Sequence, residues 1–380
     1  MKICVDISPA VQGHAGIGRY AQELLTSLTQ VDAANEYLAF FNGPARAQVP
    51  GPLAALPRRT TRLPNKAWRA EVALAHLLHW PHDRLFRGVD LFHATDNLLP
   101  YLGRVKSVFT LYDFAFHHYP ETLSAPNRRY LLSMMPRFLR AADRVIAISA
   151  STKRDALRVY GLDDSRVTVV YAGVRASFRP APSAARAAVA QKHNLPARFI
   201  LALGTIEPRK NLITLLEAYR WLKTRGLGLK LVVAGRVGWL AQATLQRLRS
   251  LGLEGEVLLP GYIPDEDLPA LYSAAALLAY PSLYEGFGLP VLEALACGTP
   301  VVCSDASSLP EVAGDAALMV NPLDVAAWGQ AITRVLADED LREEMRIKGL
   351  AQAARFSWER AAQETLSVYG SLSATRRLQG

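Results

Sequence analysis

One segment sets the architecture of this chain: Tyr280-Pro-Ser-Leu-Tyr-Glu-Gly-Phe-Gly-Leu-Pro-Val-Leu-Glu-Ala-Leu-Ala-Cys-Gly-Thr-Pro-Val-Val-Cys-Ser-Asp-Ala-Ser-Ser-Leu-Pro310. It begins at the end of an apolar run, 274–280, which is typical of a buried strand. The short β-branched run Pro300 to Cys303 predicts a second strand. The residues between the two runs favour one short helix. The segment therefore predicts a parallel strand-helix-strand unit.

Glycine and proline mark both ends of the predicted helix. Gly288 precedes Pro290 in the first turn, where a missing N–H costs nothing, and Gly298 with Pro300 ends the helix. In a parallel unit the C-terminal end of the strand lies beside the N-terminus of the helix. The unpaired N–H groups at that place favour an anion, typically a phosphate. The segment therefore predicts a phosphate-binding site.

Two carboxylates frame this predicted anion site. Glu285 lies in the loop before Gly-Phe-Gly, and Glu293 lies within the second helical turn, which gives the spacing Glu-x7-Glu. That spacing alone would be weak, because a solvated pair on a helix also produces it. With the glycines, the proline and the flanking strands, the segment resembles the motif of retaining glycosyltransferases of family 4.

The resemblance implies a fold and a set of residue roles. The fold would be α/β of the GT-B type, with two Rossmann-like, doubly wound parallel-sheet domains facing a central cleft. In family 4 the first Glu faces the hydroxyls of the donor sugar and the second holds the ribose hydroxyls of the nucleotide. Glu285 would thus be catalytic and Glu293 donor-binding. The donor site would also include Gly286, Phe287, Gly288 and Leu289.

Length and composition are ordinary for a globular protein of two domains. The chain has 380 residues, 50% of them hydrophobic and 20% charged, and a domain takes about 150 residues. Cys4, Cys297 and Cys303 lie in apolar contexts without metal-ligand spacing, so we expect reduced core cysteines. The N-terminus has no secretory pattern and no apolar run is long enough to span a bilayer, so we expect a cytoplasmic protein.

The positive charge is concentrated in the first half of the chain. Residues 1–175 hold 22 Lys and Arg against 14 Asp and Glu, whereas the remaining residues hold 21 against 20. Basic residues recur with leucines and aromatics in 58–87, and again around Met134 and Phe138. One interpretation is attraction to an anionic acceptor or to anionic lipid at the inner face of the membrane; the other is a solvated helix face. We expect no nucleic-acid partner, because no nucleic-acid-binding motif accompanies the charge.

A glycine-rich turn follows the first predicted strand, 2–7. Glycines let a ligand approach the backbone closely, but the spacing is not the Rossmann Gly-x-Gly-x-x-Gly, so a dinucleotide site is not supported. The corresponding loop of family 4 resembles Gly-Gly-Ile-Gly-Arg-Tyr and approaches the donor phosphate. Here Gly16, Gly18 and Arg19 match it. The resemblance therefore implies that Gly16 and Gly18 bind the donor, and it leaves His14 as a sugar-side candidate.

Three histidines at three-residue spacing invite a metal interpretation, but the pattern is incomplete. His76 and His79 lie on a predicted helix, 68–80, whereas Pro81 breaks the helix before His82 and no acid completes a ligand set. We therefore expect no metal here. The helix is interpreted as an interfacial face or as a wall of the acceptor site.

Two consecutive predicted strands, 90–93 and 105–109, end in polar residues at the sheet edge where ligands bind. The segment after them resembles a family segment that usually has His-Asp at the position of Tyr112-Asp113, and in many members that His touches the donor sugar. Asp113 is therefore a catalytic candidate. A purely structural histidine pair is the alternative for the neighbouring loop. The acceptor-side or sugar-side candidates are His93, Tyr112, His117 and His118.

The second half opens with an apolar strand, 199–204, suited to burial on both faces. Arg209 and Lys210 follow it and precede a helix predicted over 212–225, a position that suits a diphosphate. The family commonly has an Arg directly after this strand and a Lys a few residues on. Thr205 replaces that Arg here, so the resemblance implies diphosphate binding first by Lys210 and second by Arg209. The alternative is a solvated basic turn.

Tyr262 and Ile263 lie in a predicted strand and turn, 257–263. In family 4 the backbone at this position pairs with the nucleobase, so both residues are donor-binding candidates. Asp265 and Asp267 follow as Asp-x-Asp, which binds manganese in the other glycosyltransferase architecture. At a helix N-terminus, capping explains these acids better. We expect no cofactor or metal; the donor substrate would be a GDP- or UDP-linked sugar.

The resemblance spans nearly the whole chain and divides it into three parts. Residues 1–177 would bind the acceptor, 178–355 would bind the nucleotide sugar, and 356–380 would form a helix that crosses back to the first domain. An Ala-, Pro- and Ser-rich stretch, 180–186, marks the expected linker.

The residues and the family resemblance together imply a metal-independent, retaining hexosyltransferase. It would move a sugar, with mannose one candidate, from a nucleotide sugar to a glycan or lipid-linked acceptor in cell-surface polysaccharide, lipopolysaccharide or glycolipid synthesis. The sequence identifies no carboxylate nucleophile for double displacement, so attack from the leaving-group side is inferred. The alternatives are a sugar phosphorylase or nucleotide-sugar epimerase on the same fold, and a nucleotide-sugar-binding scaffold without catalysis.

Overall fold

The computed structural model describes residues 1–44 and 47–377, which form two compact units. The described residues of the first unit are 1–44, 47–116, 125–173 and 357–377, and those of the second are 117–124 and 174–356. The segment 117–124, which the sequence places within the first domain, thus belongs to the second unit. Residues 378–380 of the predicted C-terminal helix lie outside the described residues.

Each unit is built around one parallel sheet. The strands of the first sheet are β1 (Lys2–Asp6), β2 (Glu36–Phe41), β3 (Arg58–Thr60), β4 (Leu91–Ala94), β5 (Lys106–Leu111), β6 (Arg144–Ala147) and β7 (Val167–Val169). The strands of the second sheet are β8 (Phe199–Leu203), β9 (Lys230–Ala234), β10 (Val257–Gly261), β11 (Leu277–Tyr280), β12 (Val301–Ser304) and β13 (Ala317–Val320).

The strand order places a switch point in each sheet. The first sheet has the order β3-β2-β1-β4-β5-β6-β7 and the second has the order β10-β9-β8-β11-β12-β13. In both, the chain moves outward from the first strand in one direction and then continues on its other side. Such doubly wound sheets bind ligands at the carboxyl ends of the strands beside the switch point. In the second sheet that point lies between β8 and β11.

Helices connect the strands, as parallel pairing requires. They are α1 (Ser8–Val11), α2 (Gly16–Val31), α3 (Asn65–Leu78), α4 (Ala115–His118), α5 (Ala125–Ala141), α6 (Ala150–Tyr160), α7 (Ser183–Lys192), α8 (Leu212–Lys223), α9 (Gln242–Ser250), α10 (Leu268–Ala274), α11 (Leu289–Ala296), α12 (Leu309–Ala313), α13 (Val325–Ala337), α14 (Glu339–Ala353) and α15 (Trp358–Arg377). Short 3-10 turns occur at Gly51–Leu53, Pro120–Thr122, Asp164–Arg166 and Pro208–Lys210.

The core of the second unit explains the continuous apolar runs of its strands. Strand β8 is buried on both faces, because helices cover both sides of a doubly wound sheet. Trp328 and Tyr219 are fully buried in the same core, and the Tyr219 hydroxyl donates to the Leu229 carbonyl at 2.9 Å. The large polar-tipped rings thus contribute apolar area without leaving their polar atoms unpaired.

Strand β3 was not predicted from the sequence, and helix α3 ends at a different residue than predicted. Strand β3 is short and basic and has no apolar alternation; pairing with β2 and the two carbonyl bonds from the Arg59 guanidinium hold it in place. Helix α3 ends at Leu78, two residues earlier than predicted. His79 there adopts a left-handed φ of 55°, so Trp80 lies beyond the helix.

The C-terminal helix α15 packs on α2 in the first unit. The Trp358 ring meets the Tyr20 ring edge-on at 5.6 Å, and the Tyr369 hydroxyl is bonded to the His93 ring at 2.7 Å. The helix continues to Arg377, the last of the described residues. Residues far apart in the sequence therefore complete the core of the first unit.

Gly235, directly after β9, has a backbone that suits glycine alone. Its φ is 146°, and an added Cβ would lie 2.0 Å from the Gly204 carbonyl oxygen. We expect Gly235→Ala to lower the free energy of unfolding by more than about 3 kcal/mol, since backbone strain and overpacking add. Urea denaturation checks this. Gly228→Ala, where the described residues place nothing within 4 Å of the new Cβ, is the control. Equal midpoints for both variants would contradict the expectation.

Candidate active site

Glu285 lies in the loop between β11 and α11, at the carboxyl edge of the second sheet, and is 8% exposed. Both of its carboxylate oxygens are occupied. The partners of Oε1 are Ser282 Oγ at 2.5 Å, Lys210 Nζ at 2.6 Å and Tyr280 OH at 3.1 Å, and the partner of Oε2 is Arg209 Nη1 at 2.9 Å. Burial alone would raise the pKa of Glu285, but the two cations outweigh it and lower the pKa to about 2. The carboxylate is therefore ionised at neutral pH.

The two cations come from the Pro208–Lys210 turn after β8, across the switch point. The Lys210 ammonium also donates to the Tyr280 hydroxyl at 2.6 Å, and burial lowers its pKa while Glu285 opposes that shift. The Arg209 guanidinium donates to the Tyr284 carbonyl and to Glu207 Oε1, each at 2.7 Å. Charge-assisted bonds of this kind hold both cations in fixed positions.

Serines fix the backbone of the loop that carries Glu285. The Glu285 N–H donates to Ser307 Oγ at 2.8 Å, and the Ser308 hydroxyl donates to the carbonyls of Glu285 and Phe287, both at 2.9 Å. Gly288, with φ 108°, precedes α11 and lies so close to Leu309 that a Cβ would be 2.6 Å from it. The loop therefore has little freedom beside the start of α11. Gly286 is buried in it, and Leu289 is the first residue of the helix.

Glu293 lies on α11 and is 2% exposed. Its Oε2 accepts from the Tyr272 hydroxyl of α10 at 2.9 Å. Burial and the nearby Glu293 raise the pKa of the Cys297 thiol, so this cysteine stays a neutral core residue. The structure thus places Glu293 on the second turn of the helix, as the sequence predicts, with one oxygen oriented by a tyrosine that the sequence did not indicate.

The nucleobase candidates follow β10. Tyr262 is 52% exposed, with the Arg236 guanidinium 4.7 Å above its ring, whereas Ile263 is buried. Asp267 lies at the N-cap position of α10, as the capping interpretation predicts. Within the described part of the chain its carboxylate caps no N–H group of α10, and it is bonded instead to Lys192 and His193 at 2.7 and 2.8 Å.

The other acid of that pair, Asp265, accepts from Arg175 at 2.9 Å. Asp265 and Asp267 are thus both held by basic side chains. In residues 1–44 and 47–377 no group of three His, Cys, Asp or Glu side chains could hold a metal ion. The ring of His76 is bonded to the Leu99 carbonyl at 2.8 Å, within the first unit.

Two sugar-side candidates of the first unit lie in its interior. His93 is fully buried, and its ring nitrogens are bonded to Tyr369 OH at 2.7 Å and Thr110 Oγ1 at 2.8 Å. Burial lowers the pKa of His93 to about 3, so the ring is neutral. The buried Tyr112 hydroxyl donates to the Thr95 carbonyl at 2.6 Å. These contacts give both residues a structural role, and the geometry offers no support for sugar contact by them.

The remaining candidates of the first unit differ in exposure. His14 and Gly16 are exposed, as a ligand contact requires. Gly18 is buried, and a Cβ on it would lie 2.7 Å from the Pro9 carbonyl oxygen, so packing between α1 and α2 already requires glycine there. Asp113 Oδ1 accepts from the Ala115 N–H at 2.9 Å, which holds the start of α4.

The segment 117–124 brings its histidines to the Glu285 loop. The His118 ring lies 5.4 Å from the Tyr284 ring, and the His117 ring lies 5.2 Å from that of His118. The Trp239 indole N–H anchors the segment through the Thr122 carbonyl at 2.5 Å. The family usually has a histidine at the position of Tyr112, and His118 is one candidate to replace it. Its ring contacts Tyr284, the residue next to Glu285.

Sequence reasoning missed an acid pair at the carboxyl edge of the first sheet. Asp6 ends β1 and is 1% exposed; Asp96 follows β4. Asp6 Oδ1 accepts hydrogen bonds from the Ser8 N–H at 2.8 Å and from the Ser8 hydroxyl at 2.5 Å. Burial and the nearby Asp96 raise the pKa of Asp6 to about 8. The position of Asp6 at the end of a strand was the available signal.

Two family models together match most of the chain: Glycosyltransferase Family 4 over residues 14–178 and Glycosyl transferases group 1 over residues 186–352. O-antigen chain mannosyltransferase B of Escherichia coli is 34% identical over an alignment of 389 positions. The alignment covers 97% of this chain and 99% of that protein. This chain belongs to the family 4 glycosyltransferases. The family predicted from the Glu285 segment is confirmed, and the chain is a glycosyltransferase.

Solved structures confirm the predicted fold. Sucrose-phosphate synthase from Thermosynechococcus elongatus superimposes with a TM-score of 0.79 at 22% identity and covers 99% of this chain and 100% of its own. HepE from Anabaena, solved in complex with UDP and glucose, superimposes with a TM-score of 0.73 at 20% identity. The match covers 98% of this chain and 100% of the HepE chain. This family 4 glycosyltransferase therefore has the GT-B fold. None of its described helices has the length and apolar character needed to cross a membrane.

Proposed function

We propose that this glycosyltransferase is a retaining mannosyltransferase that uses a GDP- or UDP-linked sugar and extends a glycan or lipid-linked acceptor of a cell-surface polysaccharide. The observation that carries the proposal is the Glu285 carboxylate held between Arg209 and Lys210 beside the start of α11. The name of the Escherichia coli relative supports mannose and an O-antigen-type acceptor. The UDP and glucose in HepE support a nucleotide-sugar donor.

The proposed mechanism uses the charges of this site. Breaking the anomeric bond builds negative charge on the leaving diphosphate, and Lys210, Arg209 and the N–H groups at the start of α11 would stabilise it. Because these groups supply positive charge at the leaving group, the proposal includes no cofactor. Glu285, kept ionised, would accept hydroxyl bonds from the donor sugar, and Glu293 would hold the ribose. The acceptor hydroxyl would attack from the leaving-group side, which retains the anomeric configuration.

The acceptor side of the proposal includes contact with an anionic membrane at its cytoplasmic face. Leu74, Leu77 and Leu78 are spaced to share one face of α3 and are 52%, 55% and 61% exposed, and Trp80 just beyond them is 70% exposed. The first half of the chain carries the excess of Lys and Arg. Exposed apolar side chains in the half of the chain that carries the excess positive charge suit the interface of an anionic bilayer.

Thermal unfolding with GDP, UDP, ADP and their sugar nucleotides tests the donor. A ligand at about 100 times its Kd adds about 2.7 kcal/mol, which raises Tm by a few degrees. We expect a shift with one base, followed by transfer of the sugar with its configuration kept, as seen by NMR of the product. No shift with any nucleotide would contradict the donor site. Binding without turnover would favour the scaffold alternative, and phosphate-dependent cleavage of a disaccharide would favour the phosphorylase.

A further inference from the structure

Glu207 is a buried acid of the donor site to which the mechanism above assigns no role. It precedes the Pro208–Lys210 turn and is 2% exposed. Its Oε1 accepts from the Arg209 guanidinium at 2.7 Å, whereas its buried Oε2 has no hydrogen-bond partner among the described residues. An ionised carboxylate with one oxygen buried and unpaired is costly. A proton on that oxygen would remove the buried negative charge.

The charges around Glu207 cancel before a donor binds. Two carboxylates, Glu207 and Glu285, face two cations, Arg209 and Lys210, at 2.6 to 2.9 Å. The diphosphate of a sugar nucleotide brings further negative charge and competes for the same cations. Arg209 would then pair less with Glu207, and the buried cluster would carry a net negative charge. Uptake of a proton by one of the carboxylates would reduce that excess.

Glu207 is the carboxylate better suited to hold that proton. Burial raises the pKa of Glu207, with Arg209 and Lys210 opposing and Glu285 adding to the shift, whereas the pKa of Glu285 is held low by the same cations. The neighbouring loop packs closely here, since a Cβ on Gly238 would lie 2.4 Å from Thr205 Cγ2 and 3.8 Å from the Glu207 Cβ. The nearest charged residue of that loop, Arg236, is directed over the Tyr262 ring.

We propose that Glu207 takes up one proton from solvent at Oε2 when the donor diphosphate binds, and that its Oε1 goes on positioning the Arg209 guanidinium. The proposal rests on the donor site proposed above. Glu207 acts through Arg209 and is therefore a positioning residue. Since binding consumes a proton, donor affinity should fall as pH rises, by at most about tenfold per pH unit.

Calorimetric titration of the protein with GDP-mannose and UDP-glucose tests the proposal. The diphosphate of a sugar nucleotide has no oxygen that titrates near neutral pH, so every proton counted belongs to the protein or the buffer. We expect the binding enthalpy to differ between phosphate and Tris buffers by an amount that corresponds to uptake of up to one proton. Glu207→Gln should abolish this uptake and make the affinity independent of pH. Glu254→Gln, a change to an exposed acid of the same unit, should behave as wild type.

The outcomes separate this proposal from the proposed function. Binding of a sugar nucleotide to wild type without proton uptake would overturn the role of Glu207 and leave the donor site standing. Uptake that persists in a folded Glu207→Gln protein would do the same, by assigning the proton to another group. Absence of binding by either sugar nucleotide would overturn the donor site and this inference together. If Glu207→Gln fails to fold, as judged by its melting curve, the two-buffer measurement still tests the proposal, because binding to wild type without proton uptake would overturn it.

Discussion

Replacing Lys210 with alanine should lower the rate of sugar transfer by about 10² to 10³-fold, the usual effect of removing one preorganised group that stabilises leaving-group charge. Its ammonium lies 2.6 Å from Glu285 Oε1 and is 14% exposed, so solvent screens it little. Affinity for the nucleoside diphosphate should fall as well, because the same cation would hold the phosphates before and after the bond breaks. Product formation from the donor identified by the unfolding assay measures the first effect, and calorimetry measures the second.

Lys223→Ala is the matched control. Lys223 lies in the same unit and pairs with Glu256 at 2.9 Å, at the end of α8. It should transfer sugar at the wild-type rate. Because removing Lys210 leaves Glu285 with one cation fewer in a buried place, the melting curve must show that the variant is folded. Lys210→Met, which keeps the length of the side chain, provides a second variant for the same comparison. A folded variant with a near-normal rate would refute the assignment.

The proximity of Lys210 and Glu285 could be predicted from the sequence, although they are 75 residues apart. Each follows an apolar strand of a predicted parallel sheet, and the carboxyl ends of such strands meet at one edge. The local signals for the helix that follows Glu285 were equally strong. Gly288 and Pro290 mark its first turn through their backbone preferences alone. In the structure α11 begins at Leu289, as these residues indicate. Local chemistry and sheet topology thus predict the central part of the candidate site.

Features that depend on packing could not be predicted in the same way. His93 ends a predicted strand and carries a catalytic type of side chain, yet Tyr369 from the far end of the chain binds its ring. Asp267 has the residue type and position of a helix cap, but the neighbouring Lys192 and His193 compete for its carboxylate. Lys192 belongs to α7, which starts at Ser183 within the segment predicted as a linker. Sequence patterns describe what a side chain can do, whereas the tertiary partner decides what it does.

Glu207 illustrates the same limit inside the site. It directly precedes the short turn that holds Arg209 and Lys210, so its position was known from the sequence. Nothing in the sequence showed that one of its oxygens is buried without a hydrogen-bond partner among the described residues. Ser282 and Tyr280, which complete the surroundings of Glu285, look like ordinary residues of a strand end and loop. Their roles follow from distances that only the folded chain defines.

Glu285→Gln should lower the transfer rate by about 10² to 10³-fold while affinity for the nucleoside diphosphate is kept or increased. The glutamine keeps the size of the side chain and can still accept from Ser282 and Lys210. It removes the negative charge that now occupies both cations. Transfer assays and calorimetry with the same nucleoside diphosphate measure the two quantities. Glu256→Gln, which removes the partner of Lys223, is the control and should change neither quantity.

The transfer rate and the nucleoside diphosphate affinity together distinguish the role of Glu285 from that of Lys210. A cation of the diphosphate site stabilises bound phosphate and leaving group alike, so its loss lowers affinity and rate together. A carboxylate that faces the sugar contributes to the rate, but before the donor binds it competes with the phosphates for the cations; its loss therefore separates the two quantities. If Glu285→Gln lowers affinity and rate in parallel, Glu285 acts only by holding Arg209 and Lys210 in place. If the rate stays near normal in the folded variant, the donor sugar is recognised elsewhere and the catalytic role proposed for Glu285 is wrong.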